Sequence, residues 1–302
     1  MVILSKRAEI FARWQGERQR RMQASAASLY GASIVEESYT YEDRSYPLSI
    51  ARPTGATRPL PAVFAIHGGG LAYGCYRSEW PFDLYLASQN LAVVGIEYPQ
   101  ADETDYAGMI KAVIAAARMV LKEATNLGID PRRTFFLGAS AGAAIALAIG
   151  CMYGDEDLAK RFLNESISDL NVAGIILNHP TVEIWNLSRY HPRERGVLRR
   201  ALFQGCKDWK KAFGLPYQTL AAVGGRLPDA RIITSSGDRM YGDMAMDLVN
   251  FMTNRQIAVE TDIVTDDQLD HMFNITDPDL LRSCTVNNAT ARFVLNRAGR
   301  ED

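Results

Sequence analysis

The five residues Gly138-Ala139-Ser140-Ala141-Gly142 are the strongest chemical signal in the chain. They follow the apolar run Thr134–Leu137 and precede an alanine-rich helical pattern. Small residues on either side of the serine let the chain turn sharply at a strand end, presenting the hydroxyl near the positive end of the next helix. The chemistry that suits such a hydroxyl is nucleophilic attack on an acyl carbon. A serine capping a helix shares part of this pattern, but the strand–turn–helix context favours the nucleophile.

Attack on an acyl group puts negative charge on its carbonyl oxygen, and fixed N–H donors must receive it. His67-Gly68-Gly69-Gly70, at the end of the apolar run Ala62–Ile66, offers a glycine loop whose amides are uncovered. The amides of Gly68 and Gly69, with that of Ala141, are the expected oxyanion hole. His67, Gly70 and Tyr73 are expected beside the substrate. A phosphate-binding loop is the competing reading, but position 73 is Tyr where GxGxxG needs Gly, and no GxxxxGK[ST] occurs.

A serine hydroxyl needs a base, and the chain has four histidines. His67 belongs to the glycine loop and His191 to an inserted segment. His179, in Asn178-His179-Pro180, lies at a strand end near the same face and competes for the role, or adjoins the substrate. His271 follows the last strand and is preferred. The base in turn needs a carboxylate to hold its tautomer. Asp238, after the run Arg231–Thr234, completes the order Ser, Asp, His. Asp243, Asp262, Asp266, Asp267 and Asp270 are alternatives. Cys75 lies near the glycine loop, but no histidine is suggested as its partner.

The elements that must position these groups are short apolar runs separated by helical patterns. Ala32–Tyr41 and Tyr46–Ala51 read as an antiparallel pair. Further strands are expected at Ala62–Ile66, Leu91–Tyr98, Thr134–Leu137, Val172–Leu177, Arg231–Thr234 and Val259–Val264, the last alternating as an edge strand does. Helices are expected at Tyr106–Ala124, Ala141–Met152, Asp243–Asn254 and Asp277–Asn296. This alternation predicts an α/β fold, a mostly parallel eight-stranded sheet with helices on both faces. The segment 182–226 breaks the rhythm, with expected helices near Gly196–Phe203 and Lys207–Phe213, and reads as a lid or substrate wall. The first thirty residues read as a helix lying over the domain.

At 302 residues the chain is expected to be one domain, 1–302. A net charge of −2 gives no reason to expect nucleic acid. Cys75, Cys151, Cys206 and Cys284 form no CxxC pair and read as reduced, mostly buried thiols. The N-terminal apolar stretch is too short for a signal peptide, and Ala141–Tyr153 falls short of a membrane span. A cytoplasmic location without stable membrane insertion is expected.

Together these residues resemble the hormone-sensitive-lipase-like esterases of the α/β-hydrolase fold. The resemblance runs from about Arg52 to Asn296 and rests on His67–Gly70, Gly138–Gly142, Asp238 and His271-Met272-Phe273. It implies Ser140 as nucleophile, His271 as base, Asp238 as its orienter, a helical cap from about 1–30 and 182–226, and no cofactor or metal. The family usually reads GDSAGG where this chain has Gly138-Ala139-Ser140-Ala141-Gly142-Ala143, and YRLAPE where it has Tyr98-Pro99-Gln100-Ala101-Asp102. The leading functional expectation is a carboxylesterase acting on a small-molecule ester of short acyl chain. Bulky Trp185, Tyr190 and Trp209, with Tyr73 and Tyr76, would narrow the acyl side. An arylformamidase-like amidase, a natural-product-tailoring hydrolase and a non-catalytic receptor on the same fold are the alternatives. A homodimer is left open.

Overall fold

The computed structural model describes residues 30–185, 202–203, 207–214 and 216–299. The expected N-terminal helix and Tyr190, His191 and Cys206 lie outside them, as does much of 182–226.

Eight strands form one sheet in the order β1-β2-β4-β3-β5-β6-β7-β8. They are β1 (Ala32–Tyr41), β2 (Arg44–Pro53), β3 (Leu60–Ile66), β4 (Ala92–Ile96), β5 (Ile129–Ala139), β6 (Val172–Asn178), β7 (Asp229–Ser235) and β8 (Val259–Val264). β1 and β2 pair antiparallel, as do β2 and β4; every other pairing is parallel. The mostly parallel eight-stranded sheet is therefore present as expected.

Successive side chains of a strand point to opposite faces, and the two cores follow from that period. Phe64, Val94 and Phe136 face the helices Tyr106–Lys122 and Gly142–Gly154. Their neighbours Val63, Val93 and Phe135 face Trp80–Ser88 and Leu281–Ala298. β3 and β4 are thus apolar throughout because both faces are covered. β8, an edge strand, buries no residue fully: Thr261 and Ile263 are exposed, whereas Asp262 and Val264 are half-buried.

Two helices of eight residues or more escape the sequence pattern. In Trp80–Ser88 every residue from Pro81 to Ala87 is buried, so no polar face marks a helical period. Glu156–Leu163 is capped by Asp155, whose side chain accepts the Leu158 amide. In the inserted segment an α-helical turn, Lys207–Trp209, runs into a π-helical one, Lys210–Gly214.

β3 has β4 on one side and β5 on the other, so the chain winds outward from it in both directions. Crevices at the carboxyl ends of strands beside such a reversal are where open α/β sheets bind ligands. The loops after β3, β5, β6, β7 and β8 all emerge at that end, and they carry His67, Ser140, His179, Asp238 and His271.

Candidate active site

Ser140 follows β5 directly and holds a left-handed backbone, φ 51°. Such strain persists in a non-glycine residue only where surroundings over-determine it. Here Ser140 N–H donates to Asn178 O at 2.8 Å, and Ser140 O accepts from Thr181 N–H and Ala143 N–H, each at 3.1 Å. Gly142 lets the turn press onto β3, since a Cβ there would stand 2.2 Å from Ile66 O. No side chain caps the Gly142–Gly154 helix, whose amino end therefore points its dipole at the serine.

His271 Nε2 lies 2.8 Å from Ser140 Oγ, and His271 Nδ1 lies 2.8 Å from Asp238 Oδ2. Asp238 is secured by its other oxygen, Oδ1, which accepts the amides of Met240 at 3.1 Å and Tyr241 at 2.9 Å. Burial pushes the Asp238 carboxyl up, but the His271 hydrogen bond, its charge and the Tyr241 amide outweigh burial, so the group sits below its ordinary value. It is held as a carboxylate. Each alternative aspartate is used elsewhere. Asp243 lies in the first turn of Gly242–Asn254, Asp262 pairs with Arg231, Asp266 accepts the Gln268 amide, Asp267 accepts from Ser236, and Asp270 accepts the His271 amide.

His179, the competing base, is fully buried behind His271, its ring edge-on at 5.5 Å. Its Nδ1 faces Asn178 Oδ1 at 2.8 Å. Burial first, then the neighbouring His271, depress it to about 3, so it stays neutral. It is therefore not a substrate neighbour, contrary to expectation.

The glycine loop departs from expectation in one donor. Gly68 N–H donates to the buried Glu79 Oε1 at 3.2 Å. That leaves the amides of Gly69, Gly70 and Ala141 without a protein acceptor among the described residues. Gly69, at φ +115°, is required, because a Cβ there would stand 1.7 Å from Tyr73 O. His67 also faces inward, stacked on Tyr98 at 4.4 Å, with Nε2 3.2 Å from Glu97 and Nδ1 donating to Gly68 O at 2.8 Å. Burial pulls His67 down, but Glu97 and the Gly68 carbonyl win and raise it. It braces the loop from behind and touches no substrate.

Glu79 sits in this buried network beside Asp83. Burial lifts Glu79 to about 7, opposed by the His67 charge and the Gly68 amide, and lifts Asp83 well above its ordinary value. Between Glu79's ordinary 4.5 and about 7, the folded chain holds a proton that the unfolded chain has released. Stability therefore falls as pH rises through that window. Glu79→Gln keeps an acceptor for Gly68 and removes this dependence. Thermal melts should show the variant gaining on the natural chain between pH 5 and pH 8; a difference independent of pH would disprove the assignment.

Of the aromatics expected on the acyl side, Trp209 is buried between Phe162 and Phe213, and the Tyr76 hydroxyl is given to Glu36. Neither narrows a substrate pocket. Trp185 packs on Phe203 under Lys210, and the Tyr73 ring lies beside Gly70.

Cys151 is buried, whereas Cys75 and Cys284 are half-buried; all three are free thiols. Among the described residues no group of three or more His, Cys, Asp or Glu side chains is arranged to hold a metal. No described helix is long and apolar enough to cross a membrane.

The profile of the alpha/beta hydrolase fold family matches residues 63–274, from β3 past His271. The chain belongs to that family. Among curated relatives, versiconal hemiacetal acetate esterase of Aspergillus parasiticus is 27% identical over 145 residues, covering 47% of this chain and 45% of that protein. Carboxylesterase NlhH of Mycobacterium tuberculosis is 29% identical over 140 residues, covering 46% and 44%. The chain thus spans less than half the length of these relatives. Among solved structures, esterase B from Lactobacillus rhamnosis superposes with a TM-score of 0.81 at 19% identity, over 98% of this chain and 97% of that one. Esterase LipW from Mycobacterium marinum gives 0.78 at 21%, over 97% and 90%. At those identities the likeness carries the fold alone.

Proposed function

We propose that this α/β-hydrolase is a carboxylesterase-type serine hydrolase of small carboxylic esters. The observation that carries the proposal is the unbroken chain Asp238–His271–Ser140, two contacts of 2.8 Å each. Asp238 keeps the proton on His271 Nδ1, so Nε2 is free to take the Ser140 proton as Oγ attacks the acyl carbon. The oxyanion that forms is received by Ala141 and Gly69 amides, with Gly70 beside them. Losing one such donor costs about 2.7–4 kcal/mol of transition-state stabilisation. His271 then protonates the departing alkoxide, and by the reverse proton path activates the water that releases the acid. A non-catalytic receptor has no need of this hydrogen-bonded chain.

The acyl group we infer is short, about two to six carbons. Tyr73 beside Gly70 supports a shallow pocket. The relative from Aspergillus parasiticus is named for an acetate ester, and esterase B was solved with a tributyrin phosphonate. Each methylene that fits adds about 0.8 kcal/mol of burial, roughly fourfold in kcat/KM, until the wall is met. A series from p-nitrophenyl acetate to laurate, with p-nitroacetanilide alongside, should peak at or below six carbons and favour ester over anilide. A maximum at ten or more carbons would reject the short pocket, and faster anilide turnover would reject the esterase.

A further inference from the structure

The turn Asn178-His179-Pro180-Thr181 brackets the nucleophile. Asn178 O takes the Ser140 amide proton, Thr181 N–H returns a bond to Ser140 O, and Thr181 Oγ1 stands 3.3 Å from Ser140 Oγ. Thr181 has no solvent exposure. Its β-branched side chain is stiff about χ1, so the hydroxyl is held where it is.

The direction of that hydrogen bond follows from the rest of the site. Asp238, a carboxylate, can only accept, so His271 Nδ1 carries its proton and Nε2 is the acceptor for Ser140. Ser140 has one hydroxyl proton, and it goes to His271 at 2.8 Å, the shorter contact. Towards Thr181 it can only accept. Thr181 is therefore the donor, and Ser140 Oγ is the one acceptor its hydroxyl has among the described residues.

We propose that Thr181 is a further catalytic residue, whose hydroxyl stabilises charge on Ser140 Oγ as its bonds change. The proposal rests on Ser140 being the nucleophile. In acylation the Oγ proton passes to His271 Nε2, the Oγ–carbon bond forms, and the carbonyl π electrons move to oxygen. In deacylation water gives a proton to Nε2 and adds to the acyl carbon; as the carbonyl re-forms, the carbon–Oγ bond breaks, Oγ takes that electron pair, and Nε2 hands it the proton. Thr181 keeps its own proton throughout. At both points Oγ is more negative than in the resting hydroxyl or the acyl ester, and a hydrogen bond to it is stronger. At 3.3 Å the resting contact is loose, so most of its strength is realised only in the transition states, which is the condition for raising kcat.

Two substitutions separate this role from packing. Thr181→Val keeps the shape and loses the hydroxyl; Thr181→Ser keeps the hydroxyl and loses a methyl. The readouts are kcat and KM on p-nitrophenyl acetate, and the rate at which an alkyl p-nitrophenyl phosphonate labels Ser140, scored by p-nitrophenolate release. The valine variant should lose about 10- to 100-fold in kcat and in labelling rate, with KM and melting temperature little changed. The serine variant should stay within about threefold of the natural chain. Packing alone predicts the reverse order, with serine the more damaging. Full activity in Thr181→Val, or equal loss in both variants, overturns the proposal. Ser140→Ala measured alongside keeps the two readings apart. If it abolishes turnover and labelling while Thr181→Val is unaffected, only the Thr181 role fails; if it retains them, or the natural chain is never labelled, both fail.

Discussion

Alanine at position 140 will lower kcat by about 10⁴–10⁶-fold, because a nucleophile and its base act as one unit and what remains is binding and oxyanion stabilisation. Folding will survive. The backbone strain at φ 51° is the same for alanine, and the three backbone hydrogen bonds that hold Ser140 do not involve its side chain. A serine-directed phosphonate will label Ser140 in the natural chain and nothing in the variant, read by mass spectrometry of the digested protein. Turnover by the purified Ser140→Ala variant above about one part in 10³ would remove Ser140 as nucleophile.

Asparagine at position 238 will cost up to about 10⁴-fold in kcat through the tautomer of His271. Asp238 Oδ1 is fixed by two amides, Met240 and Tyr241. Asparagine must keep its carbonyl oxygen there, which turns its NH₂ towards His271 Nδ1. Two donors cannot face each other, so the imidazole proton moves to Nε2 and the ring can no longer accept from Ser140. His271→Ala should be comparably inactive, whereas the fully buried His179 has no line to the serine proton. Steady-state kinetics with circular dichroism of each variant decide it, and a near-natural kcat in Asp238→Asn would show that another group orients the base.

What the sequence made legible and what it hid divide along a physical line. β1 and β8 fall at their expected bounds because β-branched and aromatic runs ended by turn residues are local signals. The nucleophile turn was readable as a motif: a Cβ at Gly138 would strike Gly142 and one at Gly142 would strike Ile66, so both positions must be glycine. The destination of the Gly68 amide was not. It depends on Glu79, eleven residues on and folded back beneath the loop, and no spacing rule announces a buried carboxylate. His179 stayed in competition with the preferred His271, since both follow parallel strands at the same end of the sheet. Only the packing of their rings tells the half-buried base from the fully buried wedge. Trp209 and Tyr76 looked like pocket lining because aromatic residues in an insertion or just past the glycine loop are read by type, while their partners Phe162 and Glu36 come from distant elements. Thr181 carried no motif at all.

The nucleophile and the base hang from strands of very different security. Ser140 grows out of β5, with neighbours on both sides, whereas His271 follows β8, which is paired on one side only. Edge strands open by local fluctuation at a fraction of the free energy of global unfolding. The loop to His271 is tied back to β7 by Ser235 with Leu269 O at 2.5 Å and by Ser236 with Asp267 at 2.8 Å. These ties set how often the catalyst is assembled. Activity in rising denaturant is thus a report on the docking of the last strand, and its loss precedes the melting of the sheet that still holds Ser140 in place.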